Sequence, residues 1–124
     1  DAWSDARAAR AATYDRLIRD AGLDGTVTLP HVHAGARHIF HQYVIRAPRR
    51  DQLREHLRAR QIGNEVYYPI PLHLQQCFAD LGCRPGSLPE TERASLEVLA
   101  LPMYPELTAA QQERVVEGLA SFYR

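Results

Sequence analysis

Two prolines one residue apart, Pro69 and Pro71, set the tightest local constraint in this chain, within the run Tyr67-Tyr68-Pro69-Ile70-Pro71-Leu72-His73. Each proline fixes its own φ near about −65° and pushes the residue before it toward an extended conformation. The run is therefore a rigid loop whose side chains point in set directions. Its adjacent phenols and its imidazole also equip it chemically. The residues alone leave two readings open. One is a structural crossover, with Tyr68 packed and His73 capping the next helix. The other is a ligand wall, with rings to stack on a sugar or nucleotide and polar hydrogens for hydroxyls or diphosphate oxygens.

A length of 124 residues suits one domain with a real core. The fifteen cationic side chains balance fifteen Asp plus Glu, so the net charge is zero. That removes the usual electrostatic argument for nucleic acid or an anionic membrane as partner. All the cations are arginine, and the chain contains no lysine. The longest apolar runs, such as Val98 to Met103, are far too short to span a bilayer. The opening Asp1-Ala2-Trp3-Ser4-Asp5-Ala6-Arg7 lacks the apolar core of a signal peptide. A cytoplasmic location is the default expectation. Met103 is the only methionine, and the chain starts inside an apparent helix. The expectation is a piece of a longer protein.

The pattern along the chain predicts an α+β fold: a small, mostly antiparallel sheet covered on one face by helices. A helix is expected over Asp5 to Ala21, with Ala9, Ala12, Leu17 and Ala21 on its apolar face and Tyr14 and Ile18 extending the stripe. Thr26 to Pro30 and His38 to Arg46 read as strands. In the second, Ile39, His41, Tyr43 and Ile45 share one face, and His41 reads as a packing residue. Asp51 to Arg60 is an amphipathic helix with Leu53 and Leu57 inward and Arg50, Arg54, Glu55 and Arg58 outside. A short helix is expected over Leu72 to Asp80, another over Pro89 to Leu99, and a short buried strand over Leu99 to Met103. The last helix, Ala109 to Phe122, has Thr108 and Gln111 at capping-box spacing.

Other constellations carry less. The histidines at His31, His33, His38 and His41 have neither an HExxH pattern nor a Cys pair at finger spacing beside them. They read as locally hydrogen-bonded, with no metal expected. Cys77 is placed on the inward side of its helix with Leu74, Phe78 and Leu81, as a small hydrophobe. The Arg49-Arg50 pair reads as a solvated charge run rather than a phosphate site. Trp3 is expected to pack against something outside this chain.

One family matches these motifs in order. Arg7, Tyr14 and Leu17 on the first helix come first, then His38-Ile-Phe-His41-Gln-Tyr43-Val-Ile-Arg46 and Arg50-Asp51-x-Leu53. Ile62-Gly63-Asn64-Glu65-Val66-Tyr67-Tyr68-Pro69-Ile70-Pro71-Leu72-His73 follows, then Leu88-Pro89-x-x-Glu92 and Leu99-Ala100-Leu101-Pro102-Met103-Tyr104-Pro105. Together they resemble the C-terminal part of the DegT/DnrJ/EryC1/StrS aminotransferases, pyridoxal-phosphate enzymes that aminate keto-sugars. The resemblance implies a small domain spanning residues 1–124, preceded by a large domain that carries the Schiff-base lysine and the cofactor site. It implies no catalytic and no cofactor-binding residue in this chain, and inactivity of the chain alone, since a transaminase needs an amine to hold the aldehyde and move the proton.

What the resemblance carries over is the loop, with Tyr67, Tyr68 and His73 as candidate substrate-binding residues near a subunit interface. The family often has His where Tyr67 stands, so an imidazole-specific contact does not transfer there. The implied intact enzyme is a homodimer. It moves an amino group, with L-glutamate as donor, to a keto-6-deoxyhexose on dTDP or UDP. The rival readings are a non-catalytic binding or regulatory domain, and an aminotransferase acting on a keto-cyclitol or an aminobenzoate precursor.

Overall fold

A computed structural model describes all residues, 1–124. The element order is α1 (Ala2–Asp20), β1 (Tyr43–Arg46), α2 (Arg50–Ala59), two 3₁₀ turns (Leu72–Leu74 and Gln76–Leu81), α3 (Pro89–Glu97), β2 (Val98–Leu101) and α4 (Ala109–Tyr123). The fold is α+β, as the pattern predicts. β1 and β2 pair antiparallel, with Tyr43 opposite Leu101 and Ile45 opposite Leu99. Single antiparallel bridges extend the sheet on both sides, Thr28 to Arg46 and Glu65 to Ala100. The Thr26–Pro30 strand is thus reduced to one bridge.

Alternation places Tyr43, Ile45, Leu99 and Leu101 on one face of the sheet, and all four are buried. Helices α1, α2 and α4 supply most of the rest of the core, and Leu23, Val27, Ala47, Ile62, Val66 and Leu107 join it from the connecting segments. Leu53 and Leu57 are both fully buried, as their spacing on α2 predicts. Burial of each contributes about 1.5–3 kcal/mol. On α4, Gly118 faces Leu57 of α2 and Ile62 just beyond that helix. A Cβ there would lie 2.7 Å from Ile62 Cδ1 and 3.0 Å from Leu57 Cδ2. The predicted capping box is complete: Thr108 Oγ1 accepts from Gln111 N, and Gln111 Oε1 accepts from Thr108 N at 2.8 Å.

Four expectations need correction. The buried stripe of α1 is Ala11, Tyr14 and Ile18, while Ala9 and Ala12 are exposed. Tyr14 sets this rotation, stacking on Tyr43 at 4.9 Å and donating its hydroxyl to the Pro102 carbonyl at 2.9 Å. The strand begins at Tyr43 rather than His38, because Phe40 adopts φ 47° and turns the chain out of line. Ile39 is consequently 47 % exposed. The segment after Pro71 forms 3₁₀ turns instead of one helix, and it leaves Cys77, Phe78 and Leu81 exposed rather than inward. Finally, Arg50 is buried. Its guanidinium donates to the Val98 carbonyl at 2.7 Å and to Asp51 Oδ1 at 2.7 Å.

No helix is long and apolar enough to cross a membrane. Trp3, on the first turn of α1, is 69 % exposed.

Candidate functional site

The Tyr67 loop leaves the sheet at a defined point. Glu65 exchanges two backbone hydrogen bonds with Ala100, and Val66 beside it is buried. With Val66 anchored, the next two side chains emerge into solvent: Tyr67 is 48 % exposed and Tyr68 55 %. The peptide bond between them is cis, and their rings meet edge-on at 6.1 Å and 84°. Tyr68 is therefore not the packed residue of a structural crossover.

Tyr67 stands between two grooves. The first, of about 280 Å³, has His41 and Gln42 on one side, Asn64, Glu65 and Tyr67 on the other, and residues 100–103 at its base. The second, of about 200 Å³, is mainly apolar, with Tyr68, Pro71, Leu72, Ala94 and Val98 around it. Tyr67 and Tyr68 share the second groove, whereas Tyr67 alone borders the first. In the first groove the charge is already balanced, because Glu65 accepts from Arg54 Nη2 at 2.8 Å. Asn64 Nδ2 donates to the Ile62 carbonyl at 3.1 Å, while its buried Oδ1 has no partner within the chain.

His73 lies beneath the loop rather than on its surface. Its side chain is 8 % exposed, and Nε2 sits 3.0 Å from Glu92 Oε1. The Glu92 carboxylate gathers more than this one contact. Both of its oxygens accept from Gly86 N at 2.9 Å, and Oε1 also accepts from Leu88 N at 3.3 Å. These hydrogen bonds, led by that from Gly86 and followed by that from His73, hold the Glu92 carboxyl below its ordinary pKa of 4.5. One carboxylate on α3 thus ties together His73, the turn at Gly86 and the entry to its own helix. The excursion between them has exposed apolar side chains, among them Phe78, Leu81 and Leu88.

The other candidates separate from this region. His31 and His33 lie 5.8 Å apart ring to ring. No group of three or more His, Cys, Asp or Glu side chains comes together in a way that could hold a metal ion. Arg49 is exposed, as a solvated charge run predicts, and it also packs on an aromatic ring. Its guanidinium lies 4.5 Å above the Phe122 ring, and the Tyr123 hydroxyl donates to the Pro48 carbonyl at 2.8 Å. Both contacts fasten the end of α4 to the start of α2.

Residues 1–120 match the model of the DegT/DnrJ/EryC1/StrS aminotransferase family. The chain belongs to that family. Among its relatives, a "Pleiotropic regulatory protein" of Geobacillus stearothermophilus is 52 % identical over 124 residues, all of this chain and 33 % of the relative. A dTDP-3-amino-3,4,6-trideoxy-alpha-D-glucose transaminase of Micromonospora megalomicea subsp. nigra is 41 % identical over 96 % of this chain and 32 % of its own length. The crystal structure of S. venezuelae DesV superposes with a TM-score of 0.90 at 36 % identity, over 98 % of this chain and 32 % of that one. The chain spans about a third of the length of each of these proteins.

The cofactor of these aminotransferases, pyridoxal phosphate, has no side chain in this chain for covalent attachment. Covalent capture of pyridoxal phosphate needs a primary amine on a side chain, and the chain has no lysine. Within this DegT-type domain, sequence reasoning misses two features near the loop. His41 reads as a packing residue, yet it is exposed and lines the first groove. Glu92 enters only as part of a motif, and its contacts reach 19 residues back to His73. An acidic residue in the first turn after Pro89 is the available signal for Glu92, because a helix N-terminus favours a carboxylate. For His41 there is no such signal, since the β-rich composition of 38–46 hides the turn at Phe40.

Proposed function

We propose that this chain is the C-terminal small domain of a pyridoxal-phosphate-dependent nucleotide-sugar aminotransferase. In this reading the Tyr67-Tyr68 pair forms one wall of the sugar-nucleotide site. The carrying observation is the pair of exposed phenols on an anchored loop, with Tyr67 between two grooves and Tyr68 on the second. Aromatic faces with polar tips suit a nucleotide sugar, which presents flat and hydroxylated surfaces together. The Micromonospora relative, a dTDP-aminosugar transaminase, supports the substrate class. His73 serves the wall by supporting it, since its side chain is buried against Glu92.

The partners in this reading are an upstream large domain carrying the lysine and cofactor, and a second subunit in a cytoplasmic homodimer. The amino group comes from L-glutamate and goes to a keto-6-deoxyhexose on dTDP or UDP. Alone, the chain has no transaminase activity. The test is the full-length protein: an aldimine-type yellow absorbance, and saturable binding of dTDP- or UDP-sugars in preference to a free inosose. An upstream region without a lysine in a cofactor-site context sinks the enzymatic reading.

A second reading, a regulatory role, is favoured by the Geobacillus relative. The same experiment separates the two, because a purely regulatory protein shows neither the absorbance nor turnover of a keto-sugar with glutamate.

A further inference from the structure

Tyr67 divides two grooves of unlike chemistry, and that contrast sorts the parts of a ligand. The 280 Å³ groove sets the polar side chains of His41, Gln42, Asn64 and Glu65 around a base that includes Leu101, Pro102 and Met103. It falls at the small end of ligand pockets, which run from about 300 to 1,000 Å³. A single hydroxylated ring suits that volume better than a whole nucleotide sugar. The groove has no arginine in its lining, and the neighbouring Arg54 guanidinium is taken up by Glu65 at 2.8 Å. A diphosphate, which needs cationic donors, therefore has little to hold it there. Neutral hydroxyls have several groups available: the imidazole of His41, the amide of Gln42 and the phenol of Tyr67. On the other side of Tyr67, the 200 Å³ groove presents Tyr68, Pro71, Leu72, Ala94 and Val98. That surface suits a flat or apolar group.

The backbone explains why His41 and Gln42 are free for this task. Phe40 at φ 47° breaks the extended path before β1, and the chain bends through His41 and Gln42. Had the strand run from His38, the pairing would have alternated these side chains across the sheet. Tyr43, the next residue, is buried and hydrogen-bonded to Asp15 at 2.6 Å. The bend is thus held firmly at one end, as a specificity-determining edge requires.

Resting on the nucleotide-sugar reading above, we propose that the groove between the His41-Gln42 bend and Tyr67 binds the hydroxylated sugar ring, and that His41 and Gln42 select for it. Tyr68 and Leu72, beyond the divider, contact the nucleotide side.

The test uses the full-length protein and four probes, dTDP, dTDP-glucose, UDP and UDP-glucose, measured by calorimetry. The quantity read is the affinity ratio of each nucleotide sugar to its bare diphosphate. The parent protein is expected to favour the sugar-bearing form. His41→Ala and Gln42→Ala should each lower that ratio about 3–10-fold, the worth of one neutral hydrogen bond, and leave affinity for the bare diphosphate unchanged. Tyr68→Ala should weaken both forms equally and preserve the ratio. A parent ratio near one, or ratios unmoved in both His41 and Gln42 variants, overturns the assignment of this groove while leaving the nucleotide-sugar reading intact. Failure of all four probes to bind overturns the nucleotide-sugar reading itself, and the groove assignment with it. His41 is exposed, so its replacement does not threaten the fold.

Discussion

Arg50 gives the sharpest test of the packing argument, because its role depends on the edge of the sheet. Ala100 points its backbone N–H and C=O away from β1, toward Glu65. Val98, two residues earlier on the same strand, points its carbonyl to that same edge. No strand residue reaches it there, and the Arg50 guanidinium donates to it at 2.7 Å instead. The side chain of Arg50 is 5 % exposed, whereas that of its ion-pair partner Asp51 is 82 % exposed. The two interactions therefore differ in value. A hydrogen bond from a charged donor contributes about 1.5–3 kcal/mol, while an ion pair with a solvated carboxylate contributes about 0–1 kcal/mol. Arg50→Met keeps the aliphatic stem, removes the donor and avoids desolvating a guanidinium. Its expected net cost is about 1–3 kcal/mol, or a fall in Tm of roughly 4–12 °C for a chain of this size. Asp51→Asn should cost under about 1 kcal/mol. Urea unfolding of the chain, followed by circular dichroism with unchanged m-values, measures both. If Arg50→Met falls within about 0.5 kcal/mol of the parent, or Asp51→Asn costs as much as Arg50→Met, the reasoning fails.

Three further outcomes are expected. Gly118→Val places new atoms where a Cβ alone would meet Ile62 Cδ1 at 2.7 Å, so it should destabilise the chain by about 1–3 kcal/mol, measured by the same unfolding assay. Gly118→Ala should cost less, since better helix propensity offsets part of the clash. Glu92 has a folded pKa below 4.5, so its stabilising share is present above that value and is lost as pH falls through the folded pKa. Glu92→Gln should therefore flatten the acid limb of a stability-versus-pH curve, and an unchanged acid limb counts against the clamp. Burial pushes the Tyr123 hydroxyl up to about 12, against the opposing pull of Arg49. Stability from this group is complete below about pH 10 and is lost as pH rises from there through about 12, so Tyr123→Phe should lessen alkaline unfolding in that window.

The parts of the fold legible in the sequence are those governed by local rules. Leu53 and Leu57 are buried because a helical repeat of four puts them on one face, and the Thr108-Gln111 box depends on four consecutive residues. The parts that are not legible depend on partners far away in the chain. Arg50 sits in a pattern that reads as a solvated helix start, and only the free edge of β2, 48 residues on, draws it inside. The α1 stripe is rotated because Tyr14 reaches the Pro102 carbonyl, 88 residues away. Neither contact leaves a periodicity to detect.

The candidate site follows the same division. The rigid loop that carries Tyr67 and Tyr68 is legible, because proline rules hold wherever it lies. The opposite side of the polar groove is not. From His38 to Arg46 the composition favours a strand throughout, but β1 can pair only as far as its partner allows. β2 has four residues, Val98–Leu101, and its last pair with β1 is Leu101 opposite Tyr43. The five residues from His38 to Gln42 are left without a pairing partner, and the chain turns at Phe40 instead. That turn removes His41 from the predicted packing face and sets it across the groove from Tyr67. The short strand and the polar groove thus go together: pairing with β2 stops at Leu101 opposite Tyr43, and the residues before Tyr43 are left to turn.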